Sequence, residues 1–297
     1  MADLGFDGRV AIVTGAGGGL GREHALLLAA RGALVVVNDV GGALDGSGTS
    51  ATPAEQTAAE IVAAGGEAVV DTNSVATPEG GEAIVQSAVD AFGHVDIVVN
   101  NAGILRDKAF HNMTDDLVQA VFDVHLRGAF NVTRPAWRLM REQNYGRVVN
   151  TTSTAGLLGN FGQANYSAAK SGLVGFTRVL AIEGERHNIK ANLISPIART
   201  RMTEEVLGTL VELVDPAQVS PVVAWLAHEE CPVTGNIYSV GGGRVSRFFI
   251  GLTPGYVNRD LSVEDVRDHF DEINDPEGYV ILESAVHELR LLAAALR

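Results

Sequence analysis

Seven short β-branched runs alternating with longer Ala- and Leu-rich stretches predict an α/β fold: a doubly wound, parallel seven-stranded sheet with helices on both faces and a C-terminal helical extension. The runs fall at residues 9–14, 33–38, 67–71, 95–100, 147–152, 190–195 and 236–240. A second observation is that runs such as Val95-Asp96-Ile97-Val98-Val99 are apolar on consecutive positions, and such strands need cover on both sides. A third is the glycine cluster directly behind the first run. On a sheet of this kind ligands bind beyond the carboxyl ends of the strands.

The first run leads into Thr14-Gly15-Ala16-Gly17-Gly18-Gly19-Leu20-Gly21 and then a helical segment to about residue 31. Glycines between strand and helix let the chain turn sharply. They also bring backbone N–H groups against a pyrophosphate at the helix N-terminus, where the helix dipole adds attraction. Gly15, Gly19, Leu20 and Gly21 are therefore expected to hold a dinucleotide in a Rossmann-like arrangement. The second run ends in Asn38-Asp39, which brings a carboxylate to the adenosine ribose. Asp39 accepts from the ribose hydroxyls and repels a 2′-phosphate, so NAD is expected over NADP. Arg22, just inside the turn, is the one counter-signal. A Gly/Ser/Thr-rich loop at 41–52 precedes a helix starting near Pro53, and loops this long are usually functional or mobile.

Further along, Asn100-Asn101-Ala102-Gly103 closes the fourth run and Thr151-Thr152-Ser153 closes the fifth, while Tyr166 and Lys170 stand four apart in a helical segment at 163–186. That spacing places both side chains on one helix face, about one turn apart. The ammonium can then stabilise the phenolate and lower a pKa that is ordinarily about 10, which makes a proton shuttle possible.

In order and spacing these motifs resemble the short-chain dehydrogenase/reductase family over residues 5–243. The resemblance implies that Ser153 hydrogen-bonds the substrate oxygen, that Tyr166 transfers the proton, and that Lys170 also holds the nicotinamide ribose. It implies that Asn101, Ala102 and Gly103 wall the cofactor, that Asn73 or Ser74 lies beside adenine, and that Ile197, Thr200 and Thr203 reach the nicotinamide carboxamide. Two positions depart from the pattern. His125 stands where many members carry the Asn that anchors a water relay behind the lysine. Ser195-Pro196-Ile197 stands where Pro-Gly is common. Histidine also donates and accepts hydrogen bonds and titrates near neutrality, so His125 either continues a relay with a pH dependence or is a satisfied core residue.

The chain has 297 residues, 46% of them hydrophobic, with 22 Lys and Arg against 36 Asp and Glu for a formal charge of −14. That balance disfavours nucleic acid and anionic membranes as partners. The lone cysteine, Cys231, excludes an internal disulfide and a thiolate metal cluster, points to a reducing compartment, and is expected to be a buried structural thiol. No segment approaches the roughly 20 apolar residues of a membrane helix, residues 1–9 do not read as a leader, and the terminal Ala-Ala-Leu-Arg is not a peroxisomal tripeptide. A cytoplasmic location is expected, with no metal. The catalytic domain is expected at 1–243 and the extension, with an acidic helical region at 262–274 and a last helix at about 282–296, at 244–297.

A closer resemblance covers nearly the whole chain. The segment from Gly159 to Lys170, Arg201-Met202-Thr203-Glu204 and the residues after Gly243 are similar to the (3R)-hydroxyacyl-CoA dehydrogenase unit of peroxisomal type 2 multifunctional enzymes, in a free-standing form. This implies NAD-dependent oxidation of a (3R)-3-hydroxyacyl-CoA, with a homodimer paired through the helices around the Tyr motif. A polyanionic substrate needs local cations, and Arg106, Lys108, Arg199, Arg201, Arg244 and Arg247 are the candidates for CoA phosphates. The segment from Val245 to Arg259 has no acidic residue and serves either as a cover for the acyl tail or as a dimer contact. Two alternatives stand beside this reading: a dehydrogenase of 17β-hydroxysteroids or other apolar secondary alcohols, and a non-catalytic NAD-binding scaffold.

Overall fold

The structure, a computed structural model, describes residues 4–199 and 208–296. The chain alternates β1 (Val10–Thr14), α1 (Gly19–Ala30), β2 (Leu34–Asn38), α2 (Thr52–Ala63), β3 (Glu67–Asp71), α3 (Pro78–Phe92) and β4 (Ile97–Asn100). It then runs through α4 (Asp115–Phe122) and a π-helical turn at Asp123–Arg127 into α5 (Gly128–Gln143). Next come β5 (Gly146–Thr151), α6 (Thr154–Leu158), α7 (Ala164–Gly184), β6 (Ile189–Pro196), α8 (Ser220–Ala227), β7 (Ile237–Gly241) and β8 (Arg244–Phe248).

The strands lie in the order β3-β2-β1-β4-β5-β6-β7-β8, and every pair from β3 through β7 is parallel. Winding reverses between β1 and β4, so a crevice opens at their carboxyl ends. Alternate side chains of the buried strands enter two cores. Ala11, Val13, Val35, Val37, Ile97 and Val99 meet Ala25 and Leu28 of α1, Ala54 and Ile61 of α2, and Val223 and Leu226 of α8. On the other face Val10, Ile12, Val36, Val98 and Val148 meet Ile84 and Ala88 of α3, Val132 and Met140 of α5 and Leu180 of α7. Strands apolar on both faces are thereby covered on both faces, as their composition requires.

An eighth strand extends the seven expected. Gly242 and Gly243 have φ of +57° and +76°, and successive positive φ values are what a tight two-residue hairpin needs, so β8 returns antiparallel beside β7. In sequence β8 carries two arginines and reads as the start of the extension. The chain divides into one compact unit up to Arg247 and a second from Phe248. The second unit contains β9 (Gly251–Leu252), α9 (Val263–Asp268), α10 (Phe270–Asn274), β10 (Val280–Ile281) and α11 (Ala285–Ala295), with β9 and β10 paired antiparallel. The acidic stretch expected as one helical region is thus two short helices. The first opens on a capping box between Ser262 and Asp265.

At the amino ends of the strands, opposite the crevice, Arg147 is 1% exposed. Its guanidinium donates to the carbonyls of Gly146 and Asn188 at 2.8 Å, Glu229 at 3.2 Å and His228 at 3.3 Å. The Tyr145 ring lies between Arg9 and Arg147, whose guanidinium carbons are 3.8 Å and 4.4 Å from its centroid. One buried cation therefore joins β5, the turn into β6 and the segment after α8. Arg147→Met is expected to leave those carbonyls unsatisfied and to lower stability by about 3 kcal/mol in urea unfolding, with activity per folded molecule unchanged.

Candidate active site

The crevice forms a cavity of about 480 Å³ at the carboxyl ends of β1, β2, β4, β5 and β6. Its nucleotide end is built from the glycine turn. Gly15 has φ of +66°, and a Cβ there would fall 2.8 Å from the Cα of Ala102, so only glycine lets β1 and the segment after β4 approach this closely. Gly15, Gly19 and Leu20 line the cavity; Gly21 instead packs behind it, where a Cβ would lie 2.1 Å from the Gly15 carbonyl oxygen. Asp39 also lines the cavity, its Oδ2 accepting from the Gly17 amide at 2.8 Å and its Oδ1 from the Gly41 amide at 2.7 Å. The carboxylate is thus held in place by the turn it faces. Arg22 is ion-paired with Glu23 and Glu60.

Beyond β3, Asn73 and Ser74 line the wall, and buried Asp71 accepts from the Asn73 amide and side chain at 2.9 Å and 2.8 Å. Beyond β4, Asn101, Ala102 and Gly103 form another side. The Thr14 hydroxyl accepts from the amides of Asn101 and Ala102, both at 3.1 Å, and the Asn101 side chain donates back to the Thr14 carbonyl at 3.1 Å. The residues present therefore fit a dinucleotide: a glycine turn at a helix start, a carboxylate at the end of the second strand, and polar walls between.

The proton-transfer end draws on four elements. Ser153 is the N-cap of α6, its Oγ accepting from the Ala155 amide at 3.2 Å, a role that fixes it at the end of β5. Tyr166 and Lys170 project from α7 into the cavity, with the Lys170 ammonium 5.6 Å from the Tyr166 ring centroid. Lys170 is buried and donates to the Thr151 carbonyl at 2.6 Å. Burial pushes the Lys170 pKa down to about 7. Burial also raises the Tyr166 phenol above its ordinary value, the Ser153 hydroxyl pulls it back, and the negative charge of Asp107 raises it further. The shift of Tyr166 is thus upward, opposite to the lowering expected from Lys170, because burial favours the neutral phenol.

His125 occupies the π-helical turn, 4% exposed, its ring edge-on to Tyr166 at 5.1 Å. Its Nε2 lies 3.0 Å from the Ile104 amide and 2.8 Å from the Ile104 carbonyl oxygen, and its Nδ1 is buried without a hydrogen-bond partner among the described residues. Burial first, and the charge of Lys170 second, hold its pKa well below the ordinary value. Gly103 is required beside it, since a Cβ there would lie 2.4 Å from the ring.

A family model described as short chain dehydrogenase matches residues 9–209. The chain belongs to this family. It is 50% identical over 277 residues to the peroxisomal multifunctional enzyme type 2 of Mus musculus, covering 92% of this chain and 37% of that protein, so it spans little more than a third of that relative's length. A hydroxyacyl-CoA dehydrogenase of Mycobacterium tuberculosis is 40% identical over 275 residues, covering 87% of this chain and 84% of that one. The crystal structure of a short chain dehydrogenase from Mycobacterium avium matches with a TM-score of 0.80 and 42% identity, covering 91% of this chain and 97% of that one. This short-chain dehydrogenase is accordingly an oxidoreductase acting on CH–OH groups with a nicotinamide cofactor, which sets aside the scaffold alternative.

Not every residue singled out in the sequence comes to the cavity. Ile197 is 36% exposed, while its neighbours Pro196 and Ala198 line the wall. Thr200, Arg201, Met202, Thr203 and Glu204 lie outside the described residues. Of the remaining cations, Arg106 lines the cavity and donates from Nε to the Asp45 carbonyl at 2.8 Å. Lys108, Arg244 and Arg247 are exposed and away from the wall, and Arg199 faces Glu212 at 3.8 Å. Sequence reasoning missed Leu44 and Gly46 of the 41–52 loop and Ile104, all of which line the cavity, with the Leu105 amide bonded to the Leu44 carbonyl at 3.0 Å. Loop length was the one signal that pointed there.

The depressed pKa of His125 has a consequence for stability. The unfolded chain takes up this proton below about pH 6.5 while the folded chain does not, so stability falls as pH drops below that point. Urea midpoints measured at about pH 7.5 and about pH 5 are expected to differ less in His125→Asn than in the parent protein.

Proposed function

We propose that this chain is an NAD-dependent (3R)-3-hydroxyacyl-CoA dehydrogenase that oxidises its substrate to the 3-ketoacyl-CoA. The observation that carries the reading is the convergence of Ser153, Tyr166 and Lys170 in one cavity whose other end holds Asp39. A bound nicotinamide supplies hydride acceptance in the oxidation and donation in the reverse direction. The Ser153 hydroxyl and the Tyr166 oxygen hold the substrate oxygen between them. As phenolate, Tyr166 takes the hydroxyl proton during oxidation; as phenol, it gives a proton back during reduction. Lys170, anchored on the Thr151 carbonyl, is the cation that offsets burial when Tyr166 ionises. Gly15, Gly19, Leu20, Asn73, Ser74, Asn101, Ala102 and Gly103 hold the dinucleotide, with Gly21 supporting the turn from behind.

NAD is favoured over NADP because Asp39 fronts the ribose end and Arg22 is already committed to two carboxylates. Asp39→Ser is expected to bind NADPH at least about tenfold better than the parent protein, read by nucleotide fluorescence titration.

The acyl-CoA assignment draws on the hydroxyacyl-CoA dehydrogenase relative and on Arg106, which lines the cavity. A second reading, a CoA-free 17β-hydroxysteroid or other apolar secondary alcohol, is favoured by one observation: of the five described candidates for a phosphate patch, only Arg106 reaches the wall. A homodimer through α5 and α7 is supported by exposed Phe130, which stacks on the partly buried Phe176 with centroids 3.9 Å apart. The buried free thiol of Cys231 supports a reducing compartment such as the cytosol. Among the described residues no helix is long and apolar enough to cross a membrane.

The deciding experiment measures NADH formation with (3R)- and (3S)-hydroxyacyl-CoA, their CoA-free counterparts and a 17β-hydroxysteroid. Turnover confined to the (3R)-thioesters is the expected result; equal or better turnover of the free steroid replaces the acyl-CoA assignment. Tyr166→Phe is expected to lower kcat by about a thousandfold on any substrate that works, with NADH binding retained. Unchanged turnover would remove Tyr166 from the chemistry.

A further inference from the structure

Tyr166 is placed by a residue that the motif alone does not reveal. Helix α7 opens at Ala164, so the Tyr166 amide is among the first N–H groups of the helix, which have no partner inside it. Its partner is the side chain immediately before it: the Asn165 Oδ1 accepts from the Tyr166 amide at 2.8 Å. The Nδ2 of the same side chain donates to two carbonyls on other elements, Arg106 at 3.0 Å and Leu117 at 3.1 Å. Asn165 is 2% exposed and makes all three bonds to partly buried partners, so leaving its polar atoms unpaired is costly.

The two carbonyls matter for what they belong to. Arg106 follows the Asn101-Ala102-Gly103 wall, lines the cavity, and is tied by its side chain to Asp45 of the 41–52 loop. Leu117 belongs to α4, which continues into the π-helical turn bearing His125. A second zip runs beside the first, with the Lys108 amide donating to the Gly162 carbonyl at 2.8 Å and Gln163 Nε2 donating to Asp107 Oδ2 at 2.7 Å. Both hold the first turn of α7 against the segment that follows the cofactor wall. Asn165 sits at the junction of the helix carrying Tyr166, the wall carrying Arg106 and the helix leading to His125.

We propose that Asn165 is the positioning residue for Tyr166, fixing the phenol relative to the cofactor wall by clamping the start of α7 to Arg106 and Leu117. Its role rests on the Tyr166 chemistry proposed above. Aspartate at this position keeps the acceptor for the Tyr166 amide and loses both donors, which separates local capping from the clamp. Alanine loses all three bonds. Thr177 is a control on the same helix, about two turns beyond Lys170: it is buried, accepts from the Asn150 side chain at 2.8 Å and donates to the Leu173 carbonyl at 2.7 Å, and it does not line the cavity.

The test compares parent protein, Asn165→Ala, Asn165→Asp and Thr177→Val for kcat, KM for NAD, urea midpoint, and amide hydrogen exchange of the peptide containing Tyr166. Both Asn165 variants are expected to lose about 10- to 100-fold in kcat with KM for NAD within about twofold of the parent value, because only the reacting geometry shifts. Exchange at the Tyr166 amide is expected to accelerate in Asn165→Ala and to stay protected in Asn165→Asp. Thr177→Val is expected to lower the urea midpoint and keep kcat. A kcat within about twofold of parent in both Asn165 variants overturns the proposal, as does an equal loss in Thr177→Val at matched destabilisation. Should Asn165→Ala fail to fold, Asn165→Asp carries the comparison alone. A parent protein that turns over the free steroid and not the thioester removes the acyl-CoA reading, and the same variants are then compared on the steroid.

Discussion

The hydroxyl of Thr14 holds the crevice in shape. Sitting at the carboxyl end of β1, it receives the amides of Asn101 and Ala102 from the end of β4, and these strands flank the point where the winding of the sheet reverses. At that point the chain leaves the sheet in opposite directions, and unpaired amides collect where no further strand satisfies them. The threonine and the Asn101 side chain satisfy them from within. With that closure in place, Gly15 packs on Ala102, the glycine turn faces Asp39, and the cofactor wall runs directly into the segment that Asn165 holds.

Charge burial is the second organising constraint, and the two ends of the sheet use it differently. At the amino ends, Arg147 is surrounded by carbonyl oxygens, so a buried cation knits three segments together. At the carboxyl ends, Lys170 has one carbonyl partner and a pKa brought down to about 7, while Tyr166 beside it is pushed up. The first cation has a carbonyl partner for most of its N–H groups, whereas the second is driven toward its neutral form by burial. His125 belongs with the second: its Nδ1 is buried without a partner among the described residues, close to the Lys170 charge.

The family match covers residues 9–209, which contain the glycine turn, Asp39, the Asn101 wall, Ser153, Tyr166 and Lys170. Family membership accounts for hydride chemistry at a CH–OH group. Of the described cationic candidates for an acyl-CoA substrate, only Arg106 lines the cavity.

Much of the molecule was legible in the sequence because its signals are local. Alternating apolar runs located seven strands within about two residues at each end, glycines between a strand and a helix marked the turn, and a spacing of four put Tyr166 and Lys170 on one face. What the sequence by itself determined was therefore the fold class, the family and a set of candidate site residues, each encoded in residues close along the chain. Tertiary structure decided the rest. The separation of Arg106 from Lys108, Arg199, Arg244 and Arg247 depends on which loops converge. The hairpin of β7 and β8 depends on two glycine conformations. The shifts at Tyr166 and Lys170 depend above all on burial. The clamp at Asn165 joins residues 48 and 59 positions apart, a contact that no local spacing can announce.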